Sequence, residues 1–127
     1  MRAPAKWREA IRVAGFLVDI DTDFDVDVFS GFLPCKYEGN PVGFEYCASR
    51  LDAKDAHEMG AAGSDFVVTF TTHADLRECA SSLAAASVLC QVSGGILIDP
   101  QSGESFVGAA AVEWAKRELA ELKKHLK

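Results

Sequence analysis

The stretch Ser30–Leu51, SGFLPCKYEGNPVGFEYCASRL, decides the fold class. Phe32, Leu33, Cys35 and Tyr37 make a first arm. Val42, Phe44, Tyr46 and Ala48 make one face of a second, with Glu45 and Cys47 on the other. Alternation of period two gives a strand that is apolar on one side and wet on the other. Between the arms, Glu38-Gly39-Asn40-Pro41 supplies residues that accept positive φ, so the arms read as an antiparallel hairpin. Pro34 lacks an amide hydrogen and implies an edge position or a bulge in the first arm.

Downstream of the hairpin, Asp52–Ser64 is polar and Gly/Ala-rich and reads as a loop with room for one helical turn. Asp65–Thr72 is a nearly continuous β-branched run, expected to be buried on both faces and central in the sheet. Thr72-His73-Ala74-Asp75 has the form of a helix N-cap with an acid three residues on. The helix it opens runs to about Ser93, with Leu76, Cys79, Ala80, Leu83 and Ala84 on one stripe, and Gly94-Gly95 stops it. Ile96–Ile98 reads as a short buried strand, Asp99–Gly103 as a turn, and Glu104–Val107 as a short return strand. The last helix spans Ala109 to about Leu126, with Val112, Ala115, Leu119, Leu122 and Leu126 on one face. Upstream, Pro4–Ala14 is an amphipathic helix with Trp7, Ala10, Ile11 and Ala14 on its apolar stripe and Gly15 as its stop. The expected order is α-β-β-β-β-α-β-β-α in a single domain, residues 1–127. That order implies an α+β fold, a mostly antiparallel sheet with helices packed against it.

Phe16–Val28 holds the least ordinary pattern. Asp19, Asp21, Asp23, Asp25 and Asp27 alternate with Ile20, Thr22, Phe24, Val26 and Val28. As a strand, this places every Asp on one face; Asp is a poor strand former, so part of the run also reads as an extended loop. As a calcium loop it fails, because its sixth position is Phe24 rather than Gly and its twelfth is Ser30 rather than Glu. Three readings stay open: a solvated strand face that repels strand addition, a docking face for a basic partner, and an ion site.

The 127 residues carry a net charge of -6, and the isoelectric point is near 5.0. This argues against a general nucleic-acid binder and against docking on an anionic membrane. No apolar run is long enough to span a bilayer. Cys35, Cys47, Cys79 and Cys90 form no C-x-x-C pair and no zinc-finger spacing. The charged stretch Met1–Glu9 has no signal-peptide core, so a cytoplasmic, reducing location is expected, with the thiols as small core residues rather than two disulfides. His57, His73 and His125 are dispersed. A Cys79–His73 nucleophilic pair is formally available, but a Cys on an apolar helix stripe reads first as core. There is no G-x-S-x-G elbow and no phosphate loop. No catalytic residue, metal ligand or cofactor is expected.

Ser30–Cys35 together with Gly39–Tyr46 resembles a family of small bacterial proteins that share a GFLP…G…GFEY hairpin. Their pattern continues with a strand, an Ala-rich helix and GG…DPQ.GE, matched here by Gly94–Glu104. The resemblance covers about Ser30 to Glu104. It implies an immunity protein of a toxin–immunity system, one that binds and neutralises a cognate bacterial toxin by occluding its active site. The partner would be a toxin with a basic surface, not nucleic acid or membrane. The residues expected to meet it are Asp19, Asp21, Asp23, Asp25 and Asp27, with Glu38 and Glu45. Two rival readings stand beside this one. The first is a small enzyme or ligand-binding domain with a pocket between sheet and helices. The second is a homo-oligomer assembled through an apolar patch on the last helix.

Overall fold

The computed structural model describes residues 4–26, 29–60, 63–64, 66–72, 75–99 and 102–124. Along the chain lie α1 (Pro4–Val13), β1 (Val18–Ile20), β2 (Ser30–Tyr37), β3 (Asn40–Arg50), α2 (Ala53–Glu58) and β4 (Phe66–Thr71). They are followed by α3 (Leu76–Ser93), β5 (Ile96–Ile98), β6 (Ser105–Val107) and α4 (Ala109–Lys123). The fold is α+β. Strands β1-β2-β3-β4 form one antiparallel sheet in that order, and β5 and β6 pair separately.

The hairpin β2–β3 is the sheet's centre. Its turn residues Glu38 and Gly39 have φ of 52° and 84°, the two successive left-handed residues of a type I′ turn. That turn fixes the register, with Leu33 opposite Phe44 and Cys35 opposite Val42. Leu33, Cys35, Tyr37, Phe44, Tyr46 and Ala48 thereby share the buried face. Pro34 is tolerated inside β2 because β1 pairs only with Cys35–Tyr37. At Pro34 the β1 side asks only for a carbonyl, which accepts from the Asp21 amide at 3.0 Å.

The buried face is covered by α3, against which α1 and α4 also pack. Ala80, Ser81, Ala84, Ala85, Ser87 and Val88 are fully buried, and their small size lets neighbouring backbones approach. The two serines are satisfied locally: Ser81 donates to the Arg77 carbonyl at 2.8 Å and Ser87 to that of Ala84 at 3.1 Å. From α1, Trp7 inserts beside α3 and donates its indole N–H to the Ala85 carbonyl at 2.9 Å. Its ring meets Phe24, Tyr46 and Phe70 at centroid distances of 6.1, 6.1 and 6.2 Å. A buried aromatic of this kind removes roughly 150–250 Å² from water, on the order of 4–6 kcal/mol of transfer free energy before entropy is counted.

Several expectations are corrected. The aspartate run is not one strand: β1 ends at Ile20, and the chain bends at Asp23–Phe24. The pull comes from the aromatic cluster. Phe24 packs on Phe29 and Tyr46, Val26 is 1% exposed, and the Tyr46 hydroxyl donates to the Val26 carbonyl. Burial still alternates through the bend, so Asp19, Asp21, Asp23 and Asp25 are all exposed. Asp27 and Val28 lie outside the described residues.

β4 is an edge strand, not a central one, with Thr69 and Thr71 exposed. The eleven-residue β3 takes the interior place because it can pair along both sides. The polar segment after the hairpin contains the six-residue α2, capped by the Asp52 carboxylate, which accepts from the Asp55 amide at 2.8 Å. α3 begins later than expected, because Asp75 rather than Thr72 caps it, accepting from the Arg77 amide at 2.8 Å. β5 is not buried: Ile96 is 37% exposed, since the β5–β6 hairpin is covered on one side only, where Phe106 stacks on Trp114. Among the described residues no helix is long and apolar enough to cross a membrane.

Candidate functional site

The same alternation that buries one face of the hairpin displays the other. Asp19, Pro34, Lys36, Phe32, Glu45 and Cys47 all point to the outer face and are exposed. Register sets who meets whom: Asp19 lies opposite Lys36, Phe32 opposite Glu45, and Glu45 opposite Thr71. Phe32 is the outlier, an aromatic side chain 53% exposed in a sheet interior position. Its ring lies over Gly43. A Cβ built at Gly43 would come within 2.2 Å of Phe32 Cζ and 2.7 Å of the Leu33 carbonyl oxygen. The glycine is therefore the socket for the ring, and the ring shields the bare backbone.

Around this pair opens a broad concavity of about 830 Å³. Phe32, Pro34, Pro41 and Val42 supply its apolar lining. Its charged lining is Asp19, Asp21, Asp75 and Glu78 against Arg8 and Lys36. Arg8 is engaged: its Nε and Nη2 donate to the two carboxylate oxygens of Asp19, the second at 3.2 Å. The hydrogen bond and the charge of Asp19 hold the Arg8 guanidinium more firmly protonated than usual. Asp75 is committed to the cap of α3. The Asp19 end of the concavity is thus neutralised, and negative charge gathers toward Asp21 and the start of α3.

Of the residues expected to meet a partner, the structure brings Asp19 and Asp21 into the concavity and sets Glu45 beside Phe32. Asp23 and Asp25 are exposed beyond the bend. The four described aspartates do not form one ladder. Glu38 stands apart in the hairpin turn, where it lines a hollow of about 80 Å³ with Leu119 and Lys123. There the Tyr37 hydroxyl is pushed up, first by burial and then by the Glu38 charge. Phe32, Asp75 and Glu78 were not anticipated as site residues. Phe32 and Gly43 are diagonal neighbours in the observed register, Phe32 opposite Glu45 and Gly43 opposite Pro34; neither that contact nor the approach of the α3 start was legible in the sequence.

Three of the thiols, Cys35, Cys79 and Cys90, are poor nucleophiles. Burial raises the Cys35 pKa to about 11; a hydrogen bond with Ser81 opposes the rise, and the charges of Asp19 and Glu78 add to it. Burial also raises Cys79 and Cys90. His73, the partner considered for Cys79, lies outside the described residues, as do Ala74, Pro100, Gln101, His125 and Leu126. Cys47, which the alternation of β3 places with Glu45, is exposed on the outer face opposite Thr69 and Ser30 and is not a core thiol. Among the described residues the apolar stripe of α4 packs internally, with Ala111, Val112, Ala115 and Leu119 buried. Among the described residues no group of three or more His, Cys, Asp or Glu side chains could hold a metal ion.

One consequence concerns pH. A Cys35 thiol that keeps its proton to about pH 11 in the fold, against 9.0 when solvated, favours the folded state while it is neutral. That contribution is complete below pH 9.0 and is lost as pH rises toward 11. Urea midpoints should therefore fall more steeply over this window in the native chain than in Cys35→Ala. Parallel pH profiles for the two chains would remove Cys35 as the cause.

Comparison of the chain with protein-family models, curated proteins and solved structures finds no match.

Proposed function

We propose that this chain is a non-catalytic binding module, an immunity protein that neutralises a cognate bacterial toxin in the cytoplasm by occluding its active site. The observation that supports this reading most is the outer sheet face: an exposed, propped aromatic in an open concavity whose carboxylates outnumber its cations. Central aromatics supply binding energy, while surrounding charge accelerates encounter and selects partners of opposite sign. The hairpin that presents the face is also the segment on which the resemblance to immunity proteins rests. The alternative of a small enzyme finds less support, since the one thiol lining the concavity, Cys35, is held protonated.

The test is capture of the protein encoded by the adjacent gene. Reversing Asp21, Asp23 and Asp25 to Lys, which leaves the Arg8–Asp19 pair intact, should weaken capture roughly tenfold at low salt and flatten its salt dependence. Capture that is indifferent to the triple reversal would show that the acidic run does not meet the partner.

A further inference from the structure

We propose that the concavity is an arginine-anchoring site: it receives the guanidinium of an arginine carried on a basic segment of a protein partner, stacked on the ring of Phe32. The inference rests on the binding-module reading and adds the chemical identity of the anchor. Phe32 has one carboxylate on the neighbouring strand β3 and another just past the end of β1. Glu45 lies directly opposite it on β3. On the other side, the Asp21 amide bonds to the Pro34 carbonyl, which places Asp21 two residues along the same face from Phe32. In an antiparallel sheet such direct and diagonal neighbours lie within reach of a long side chain. The ring itself is held in position, because Gly43 leaves the space it occupies and the Leu33 carbonyl bounds that space from below.

The surrounding cations do not occupy this place. Arg8 is bound to Asp19, and Lys36 stands opposite Asp19 on β2, with Pro34 between it and Phe32. What remains around Phe32 is an aromatic face, apolar Pro34 and Pro41, and negative charge at the rim. A planar, weakly hydrated cation with a long apolar stem fits that combination better than a compact ammonium, which keeps its water. An acidic or purely apolar segment would leave the carboxylates desolvated without a partner.

The experiment titrates the full chain, labelled with nitrogen-15, with the peptide acetyl-Gly-Arg-Gly-Arg-Gly-amide and with its Lys and Glu counterparts. The arginine peptide should shift the amides of Phe32, Gly43 and Glu45 and bind more tightly than the lysine peptide; the glutamate peptide should not bind. Phe32→Leu keeps an apolar cover over Gly43 but removes the aromatic face, and should weaken arginine binding roughly threefold to tenfold. Lys36→Glu should strengthen it roughly threefold. Equal binding of arginine and lysine peptides, shifts spread evenly over the chain's acidic surface, or indifference to Phe32→Leu would each overturn the site. Capture of the adjacent gene's product separates the two claims. If Phe32→Leu captures it as well as the native chain does, the anchor is refuted and the immunity reading stands. If the native chain does not capture it but the arginine peptide still binds at Phe32, the immunity reading falls and the site stands.

Discussion

Trp7→Ala is expected to cost about 3–5 kcal/mol of stability, a large share of the roughly 5–15 kcal/mol that holds a domain together. Trp7 is 1% exposed and joins three parts of the molecule. It rises from α1, donates to the Ala85 carbonyl in α3, and touches Phe24 in the bend and Tyr46 and Phe70 in the sheet. Truncation leaves a cavity bordered by an aromatic ring on each side, and the small residues of α3 cannot expand to fill it. Trp7→Phe should cost less, about 1–3 kcal/mol, because most of the volume stays and one buried hydrogen bond goes. Urea unfolding followed by far-ultraviolet circular dichroism measures both, independently of the fluorescence of Trp114. If Trp7→Ala costs less than about 1 kcal/mol, the cluster is not what fastens α1 to the sheet.

The second large effect is expected at Gly43, where alanine should cost about 1–3 kcal/mol through crowding alone. The backbone there is not left-handed, so conformational strain is not the cause. The added methyl would fall 2.2 Å from the tip of Phe32, which can swing out to solvent, and 2.7 Å from the Leu33 carbonyl oxygen, which belongs to the sheet and cannot. Two consequences follow from that difference. Adding Phe32→Ala should recover part of the loss but not all of it, so the two substitutions are non-additive. And Gly43→Ala should weaken partner capture even under conditions where it is fully folded, because the ring no longer rests in its socket. A double-mutant cycle on stability, with capture measured alongside, checks both. An identical cost of Gly43→Ala with and without Phe32 would mean that the ring does not use this space.

Much of the fold was legible because it is locally encoded. The period-two alternation specifies the hairpin and its buried face; the turn is centred on Glu38-Gly39, one residue before the Gly39-Asn40 pair that the sequence suggests, and that centre sets the register. Apolar spacing specifies α1, α3 and α4, and Gly94, at φ 72°, ends α3 as its sequence position implies. The misplacements share one origin, competition between a local pattern and a distant partner. The aspartate run alternates like a strand, yet Phe24 and Val26 gain more from the aromatic cluster than from continued pairing. Thr72 and Asp75 both have cap chemistry, and it is Asp75 that caps α3. The β-branched run of β4 fits a central strand equally well; it lies at the edge because nothing pairs beyond it among the described strands.

The candidate site divides along the same line. Sequence alone determined that the chain is acidic, that its carboxylates alternate with apolar residues, and that Glu45 falls on the wet face of a hairpin, since charge and period are properties of neighbours along the chain. Only the tertiary structure decided that Arg8 neutralises Asp19, that Asp19 and Asp21 rather than Asp23 and Asp25 border the concavity, and that the start of α3 brings Asp75 and Glu78 to it. Those choices depend on which helix packs across which strand. Packing is settled by burying Trp7 and the aromatic cluster, a free energy summed over residues from one end of the chain to the other.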